Sequence, residues 1–100
     1  MIKALTPDAI QTKLAELNSD APSKHHWQLR NDKLYRQFLF ADFVTAFGFM
    51  AQAALIAERM NHHPEWSNVY ATVEVELTTH DANGISELDF ELAQAINALA

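Results

Sequence analysis

Trp66-Ser67-Asn68-Val69-Tyr70-Ala71-Thr72-Val73-Glu74-Val75-Glu76-Leu77-Thr78-Thr79-His80 is the stretch that decides the fold class of this chain. Val73, Val75 and Leu77 alternate with Glu74, Glu76 and Thr78. That period of two is what a strand needs when one face is buried and the other meets water. A break near Ala71-Thr72 divides the stretch into two antiparallel strands. Strands of this kind need helices to cover their apolar face.

Just upstream, Pro64 closes a long helix, because the residue before a proline disfavours helical angles. Asp42 caps the other end, so the helix runs from Phe43 to about Asn61. Phe43, Phe47, Ala51, Ala54 and Leu55 lie along one side of it, while Ala46, Phe49, Met50, Ala53, Ile56 and Ala57 spill onto others. A helix that is apolar nearly all round is buried on more than one side. One small sheet cannot cover all of it, and a bare apolar patch marks an interface. A second copy of the chain is therefore expected to cover the remainder, in a homodimer or homotetramer. A charge placed at Phe49 or Ala53 is expected to lower the oligomeric state.

Earlier still, His26-Trp27-Gln28-Leu29-Arg30 meets the turn pair Asn31-Asp32, and Leu34 to Phe40 returns, which reads as a hairpin. Thr6-Pro7-Asp8 starts a first helix as cap, first-turn proline and dipole-favoured acid, and Ile10, Leu14 and Leu17 form its stripe. Downstream, Asp81-Ala82-Asn83-Gly84 is a turn. Ser86 caps a last helix, with Asp89 three residues on as the short arm of a capping box. Leu88, Leu92, Ala95, Ile96 and Leu99 supply its apolar side. The order α-β-β-α-β-β-α predicts a single α+β domain over residues 1–100. Its four-stranded antiparallel sheet carries three helices packed on one face.

Composition narrows the function. The 100 residues include no cysteine, which removes disulfides, thiolate metal sites and a cysteine nucleophile together. Thirteen acidic against seven basic residues give a formal charge of -6, so no cationic face for direct nucleic-acid binding is expected. Only two glycines occur, and a glycine-rich phosphate loop is absent. Met1-Ile2-Lys3-Ala4-Leu5-Thr6-Pro7 lacks the apolar core of a signal peptide. The most apolar run, Phe43 to Ala57, is interrupted by Gln52 and is shorter than the ~20 residues that span a bilayer. A soluble, cytoplasmic protein without membrane contact is the expectation.

The chemistry rests on histidine. His62 and His63 end the long helix, and His80 ends the last strand, so both element ends can open onto one edge of the sheet. Imidazole is the side chain best matched to proton transfer near neutral pH, and converging imidazoles suit a dehydration. A plainer reading stands beside this one. A cation near a helix C-terminus and a proline just beyond it are ordinary helix punctuation, and a strand-end histidine is usually at the surface. For a metal, adjacent histidines on a helix point about 100° apart and rarely share one ion. No metal is expected, although Glu58 and His62 have i, i+4 spacing. Glu58 either orients His62 by accepting its ring proton or caps the charge around the helix end. His25 and His26 read as surface or structural residues, and Trp27 and Trp66 as core, although an aromatic beside histidines can stack on a flat ring.

Glu58-Arg59-Met60-Asn61-His62-His63-Pro64-Glu65-Trp66-Ser67-Asn68-Val69-Tyr70, followed by Thr79-His80-Asp81, resembles the signature of the pterin-4a-carbinolamine dehydratases. The spacing agrees throughout: Glu58, three residues, His62-His63-Pro64, five residues, Tyr70, nine residues, His80, eight residues, Asp89. The resemblance covers nearly the whole chain. Trp27, the aromatic run Phe38, Phe40 and Phe43, the sequence Ala46-Phe47-Gly48-Phe49-Met50 and Gly84-Ile85-Ser86 all fit it. It implies loss of water from a 4a-hydroxy-tetrahydropterin, giving the quinonoid dihydropterin and recycling the pterin of aromatic amino-acid hydroxylases, with no cofactor of its own. It further implies that His62 and His80 are general acids toward the 4a-hydroxyl, while His63 binds substrate and accepts a proton from nitrogen. Pro64 would shape the pocket, Trp66 cover the ring, Asp89 hold or polarise a histidine and Glu58 give support. Family members in animals also act as a dimerisation cofactor for a homeodomain transcription factor, so a protein-interaction role through the long helix is the alternative. A relative with another pterin task, such as one linked to molybdopterin, is a third.

Overall fold

The computed structural model describes residues 2–100; Met1, the first residue of the N-terminal segment read above, lies outside them. Three helices, α1 (Pro7–Asn18), α2 (Phe43–Met60) and α3 (Glu87–Asn97), and four strands, β1 (Gln28–Arg30), β2 (Lys33–Leu39), β3 (Glu65–Val69) and β4 (Thr72–Leu77), follow in the expected α-β-β-α-β-β-α order. Single 3-10 turns occupy Ser23–His25 and His80–Ala82. The sheet is antiparallel, in the order β1-β2-β4-β3. No described helix is long and apolar enough to cross a membrane.

Local chemistry sets the element ends. Thr6 Oγ1 accepts from Ala9 N at 3.2 Å, and Asp42 Oδ1 accepts from Thr45 N at 2.8 Å, each satisfying an amide that the helix itself cannot. The β1–β2 turn places both Asn31 and Asp32 at positive φ (54° and 60°), the mirror-image turn whose twist suits a two-residue hairpin. The β3–β4 turn is less comfortable. Tyr70 takes φ 51°, a region that costs a bulky side chain roughly 1–2 kcal/mol. The Asn68 amide braces it by donating to Tyr70 O (3.0 Å) and Thr72 O (2.9 Å).

The core lies between the helices and one face of the sheet. Leu34 and Phe38 of β2 and Val73, Val75 and Leu77 of β4 point inward, where Phe49, Leu92 and Ile96 meet them. The rings of Phe38 and Phe49 are 4.7 Å apart, and complete burial of a side chain this size stabilises the fold by about 1.5–3 kcal/mol. Trp27 is buried too: Asn18 pins its backbone from both sides, and its Nε1 donates to Asn97 Oδ1 at 2.8 Å.

On α2 the structure corrects the sequence reading. Ala46, Phe49, Ala53 and Ala57 form the inward face, so a charge at Phe49 or Ala53 disrupts the subunit's own core. The side left open carries Val44, Phe47 and Leu55, with Phe43 beside them. Apolar periodicity shows that such a helix is apolar on more than one side, but it does not say which side packs on the sheet.

Candidate active site

The end of α2 creates the site. Asn61 takes the left-handed conformation (φ 51°, ψ 42°), and His62 N bonds back to Ala57 O at 3.0 Å. This turn sends two neighbouring histidines to different places. His62 goes inward and is buried, whereas the His63 side chain remains 57% exposed. His80 reaches the same region from the end of β4 and is 81% exposed. All three border one open cleft of about 240 Å³, together with Thr78, Thr79 and Leu88.

Each imidazole meets its own carboxylate through Nε2. His62 lies 2.6 Å from Asp89 Oδ1, His63 lies 2.8 Å from Glu58 Oε1, and His80 lies 3.0 Å from Glu65 Oε2. An ionised carboxylate only accepts, so the hydrogen of each contact sits on Nε2. Among the described residues, Nδ1 of each ring has no hydrogen-bond partner. A neutral ring thus offers Nδ1 as acceptor, and a protonated ring offers it as donor.

The Asp89–His62 pair is the most tightly built. Asp89 has no solvent exposure, and its Oδ2 accepts from Thr79 Oγ1 at 2.8 Å and from Ser86 N at 2.9 Å. Ser86 Oγ donates to Thr79 Oγ1 at 2.6 Å, because the Thr79 hydrogen is already used, and it accepts from Leu88 N at 3.2 Å. The expected capping box of α3 is therefore present, and its acidic arm also holds the histidine. Burial of a carboxylate is tolerable only with such complete satisfaction.

Glu65 joins β3 to the hairpin. Its Oε1 lies 2.5 Å from Lys33 Nζ while its Oε2 meets His80. The Lys33 hydrogen bond holds the Glu65 carboxyl below its ordinary range; burial opposes it, and the contact with His80 adds to the lowering. Reciprocally, Glu65 pushes the Lys33 ammonium up.

The structure thus brings His62, His63, His80 and Asp89 together. Glu58 belongs to the group through His63 and not, as its i, i+4 spacing suggests, through His62: the helix stops at Met60, and beyond Asn61 helical spacing no longer predicts neighbours. Pro64 directs the chain into β3. Trp66 opposes Val75 on the helix side of the sheet, packs half-buried on the core and does not border the cleft. His26 braces a loop through Ala21 O at 2.7 Å, and His25 is exposed, both away from the cleft. Sequence reasoning missed Glu65, Lys33 and the Thr79 hydroxyl. For Glu65, its place directly after His63-Pro64 was the available signal.

Comparison with known proteins shows which family the chain resembles. The family profile described as Pterin 4 alpha carbinolamine dehydratase matches residues 3–99. A Prochlorococcus marinus (strain MIT 9313) protein is 60% identical over 84 residues, covering 84% of this chain and 88% of that one. A Solibacter usitatus protein is 54% identical over 91 residues, covering 89% and 96%. Both are named, provisionally, as pterin-4-alpha-carbinolamine dehydratases. A crystal structure from Brucella melitensis, described as a transcriptional coactivator/pterin dehydratase, superposes with a TM-score of 0.87 at 45% identity, over 98% of this chain and 99% of that one.

Proposed function

The chain belongs to the pterin 4 alpha carbinolamine dehydratase family, and we propose that it removes water from a 4a-hydroxy-tetrahydropterin to give the quinonoid dihydropterin. The observation that carries this reading is the set of three imidazoles at one cleft, each with Nε2 on a carboxylate and Nδ1 free of protein partners.

Breaking the C4a–O bond requires a proton on the departing oxygen and electron density from the ring nitrogens. His62 and His80 act as general acids toward the hydroxyl: one of them transfers the single proton that lets it leave as water, while the other donates a hydrogen bond to the same oxygen. His63 contacts the pterin and takes the proton that the ring nitrogen releases as the new double bond forms. Proton bookkeeping therefore closes within the site. A positioned acid or base contributes typically ~10²–10⁴ in rate. Asp89 holds His62 still, while Glu58 and Glu65 orient the two exposed rings. Pro64 and Trp66 set the backbone that presents Glu65.

The test follows the absorbance decay of the substrate, generated in place by an aromatic amino-acid hydroxylase, with and without the protein. Acceleration that is lost in His62→Ala and in His62→Ala/His80→Ala supports the reading. A folded double variant with full activity sinks it.

We also take the exposed Val44-Phe47-Leu55 side of α2 to be covered by a second copy of the chain in a homodimer or homotetramer. The Brucella relative is described as a coactivator, and the same apolar side is where a protein partner would compete. A pull-down that returns only the protein itself leaves self-association as the use of that face.

A further inference from the structure

Arg36 sits where a charge has little to support it. It points from β2 into the core side of the sheet opposite Val75 and is only 8% exposed. Its guanidinium lies 3.9 Å over the Phe38 ring. Nη1 donates to Asn97 Oδ1 at 2.7 Å, an amide oxygen already shared with Trp27. Nε is buried with no partner, and among the described residues no carboxylate pairs with this arginine. Burial alone pulls its pKa down, with no neighbouring acid opposing. A buried cation left with one neutral acceptor is an incomplete arrangement.

Beside it is a cavity of about 760 Å³, larger than the histidine cleft. It forms because β1 pairs only with Lys33 to Tyr35, which leaves the β2 edge beyond Tyr35 without a neighbouring strand. The segment 20–25 passes over the gap. Phe38, Phe40 and Pro22 give the cavity an apolar wall, and Lys24, His25 and one acid, Asp20, also line it. Arg36 is the one guanidinium in this lining.

We propose that this cavity binds a small organic carboxylate, its acid group accepting from the part of the Arg36 guanidinium that lines the cavity and its apolar body against Phe38, Phe40 and Pro22. A carboxylate accepts a charge-assisted hydrogen bond from a guanidinium, and the stack on Phe38 holds that guanidinium in place. The site is separate from the histidine cleft and does not depend on the proposed dehydration.

Benzoate is the probe, titrated by calorimetry into the full chain, with acetate and inorganic phosphate in parallel. Saturable benzoate binding is expected, weakened about 30-fold or more in Arg36→Met, because that variant removes one partner of a buried charge pair. Should Arg36→Met fail to fold, Asn97→Asp serves instead. It supplies an internal carboxylate to the guanidinium, and it is expected to weaken benzoate binding while raising thermal stability. Phosphate bound more tightly than benzoate overturns the ligand class. Benzoate binding unchanged in both variants overturns the site. Absence of benzoate binding, with a lower oligomeric mass in Arg36→Met, assigns the counter-charge to a second copy of the chain and overturns the proposal.

Discussion

Asp89 and His62 stand 27 positions apart in sequence and 2.6 Å apart in space, in surroundings almost closed to solvent. Both Asp89 oxygens are occupied by donors, so replacing one oxygen with an amide nitrogen sets donor against donor. Asp89→Asn is therefore expected to cost about 1–3 kcal/mol of stability, a fall in Tm of about 4–8 °C per kcal/mol in a domain this size. It is also expected to slow dehydration by about 10²-fold or more. A thermal scan and the substrate decay assay check both. A lower Tm with an unchanged rate reduces Asp89 to a helix cap.

The Glu58–His63 contact is the opposite case. Both side chains are largely exposed, at 80% and 57%. Exposed ion pairs add little to stability. Glu58→Gln is expected to leave the Tm within experimental error of the unmodified protein while altering how tightly substrate is held, read as a rise in KM with little change in kcat. A marked loss of stability contradicts this.

The Lys33–Glu65 pair predicts a specific pH dependence. The folded pKa of Glu65 is depressed, so its contribution is present above the ordinary carboxylate value, ~4.3, and is lost as pH falls through the folded value. The folded pKa of Lys33 is raised, so its contribution is present below ~10.4 and is lost as pH rises through the folded value. The Tm difference between the unmodified protein and Lys33→Met is therefore expected to be largest near neutral pH and to shrink toward both extremes. Parallel Tm curves across the range show that the pair is not coupled in solution.

Two phenylalanines on one helix separate oligomerisation from folding. Phe47 is 57% exposed and Phe49 is 4% exposed. Phe47→Glu is expected to lower the mass seen by light scattering with the subunit still folded. Phe49→Glu places a charge in the core and is expected to destabilise the subunit by about 3–5 kcal/mol or more. An unchanged mass for Phe47→Glu removes α2 from the interface.

Most of the architecture was legible because its signals are local. Alternation in Val73 to Leu77, the caps at Thr6, Asp42 and Ser86, and the breaks at Pro64 and Asn31-Asp32 each depend on a few adjacent residues. The histidines were legible from their places at element ends and Asp89 as the arm of a capping box, while its link to a histidine was implied only by the family resemblance. What escaped depends on registry across the sheet or on the end of a regular element. Glu65 reaches both Lys33 and His80 because β3 and β2 flank β4 in one alignment, and alternation alone does not determine that alignment. Glu58 pairs with His63 because Asn61 leaves helical geometry, a departure the i, i+4 rule cannot anticipate.

The carboxylate that starts α3 is the same one that steadies His62. Formation of the last helix and completion of the histidine cleft are consequently one event during folding. A newly made subunit whose C-terminal helix has not docked carries all three histidines, but Asp89 does not yet hold His62 in place. Damage to the first turn of α3 therefore falls on two things at once, the start of the helix and the imidazole that it holds.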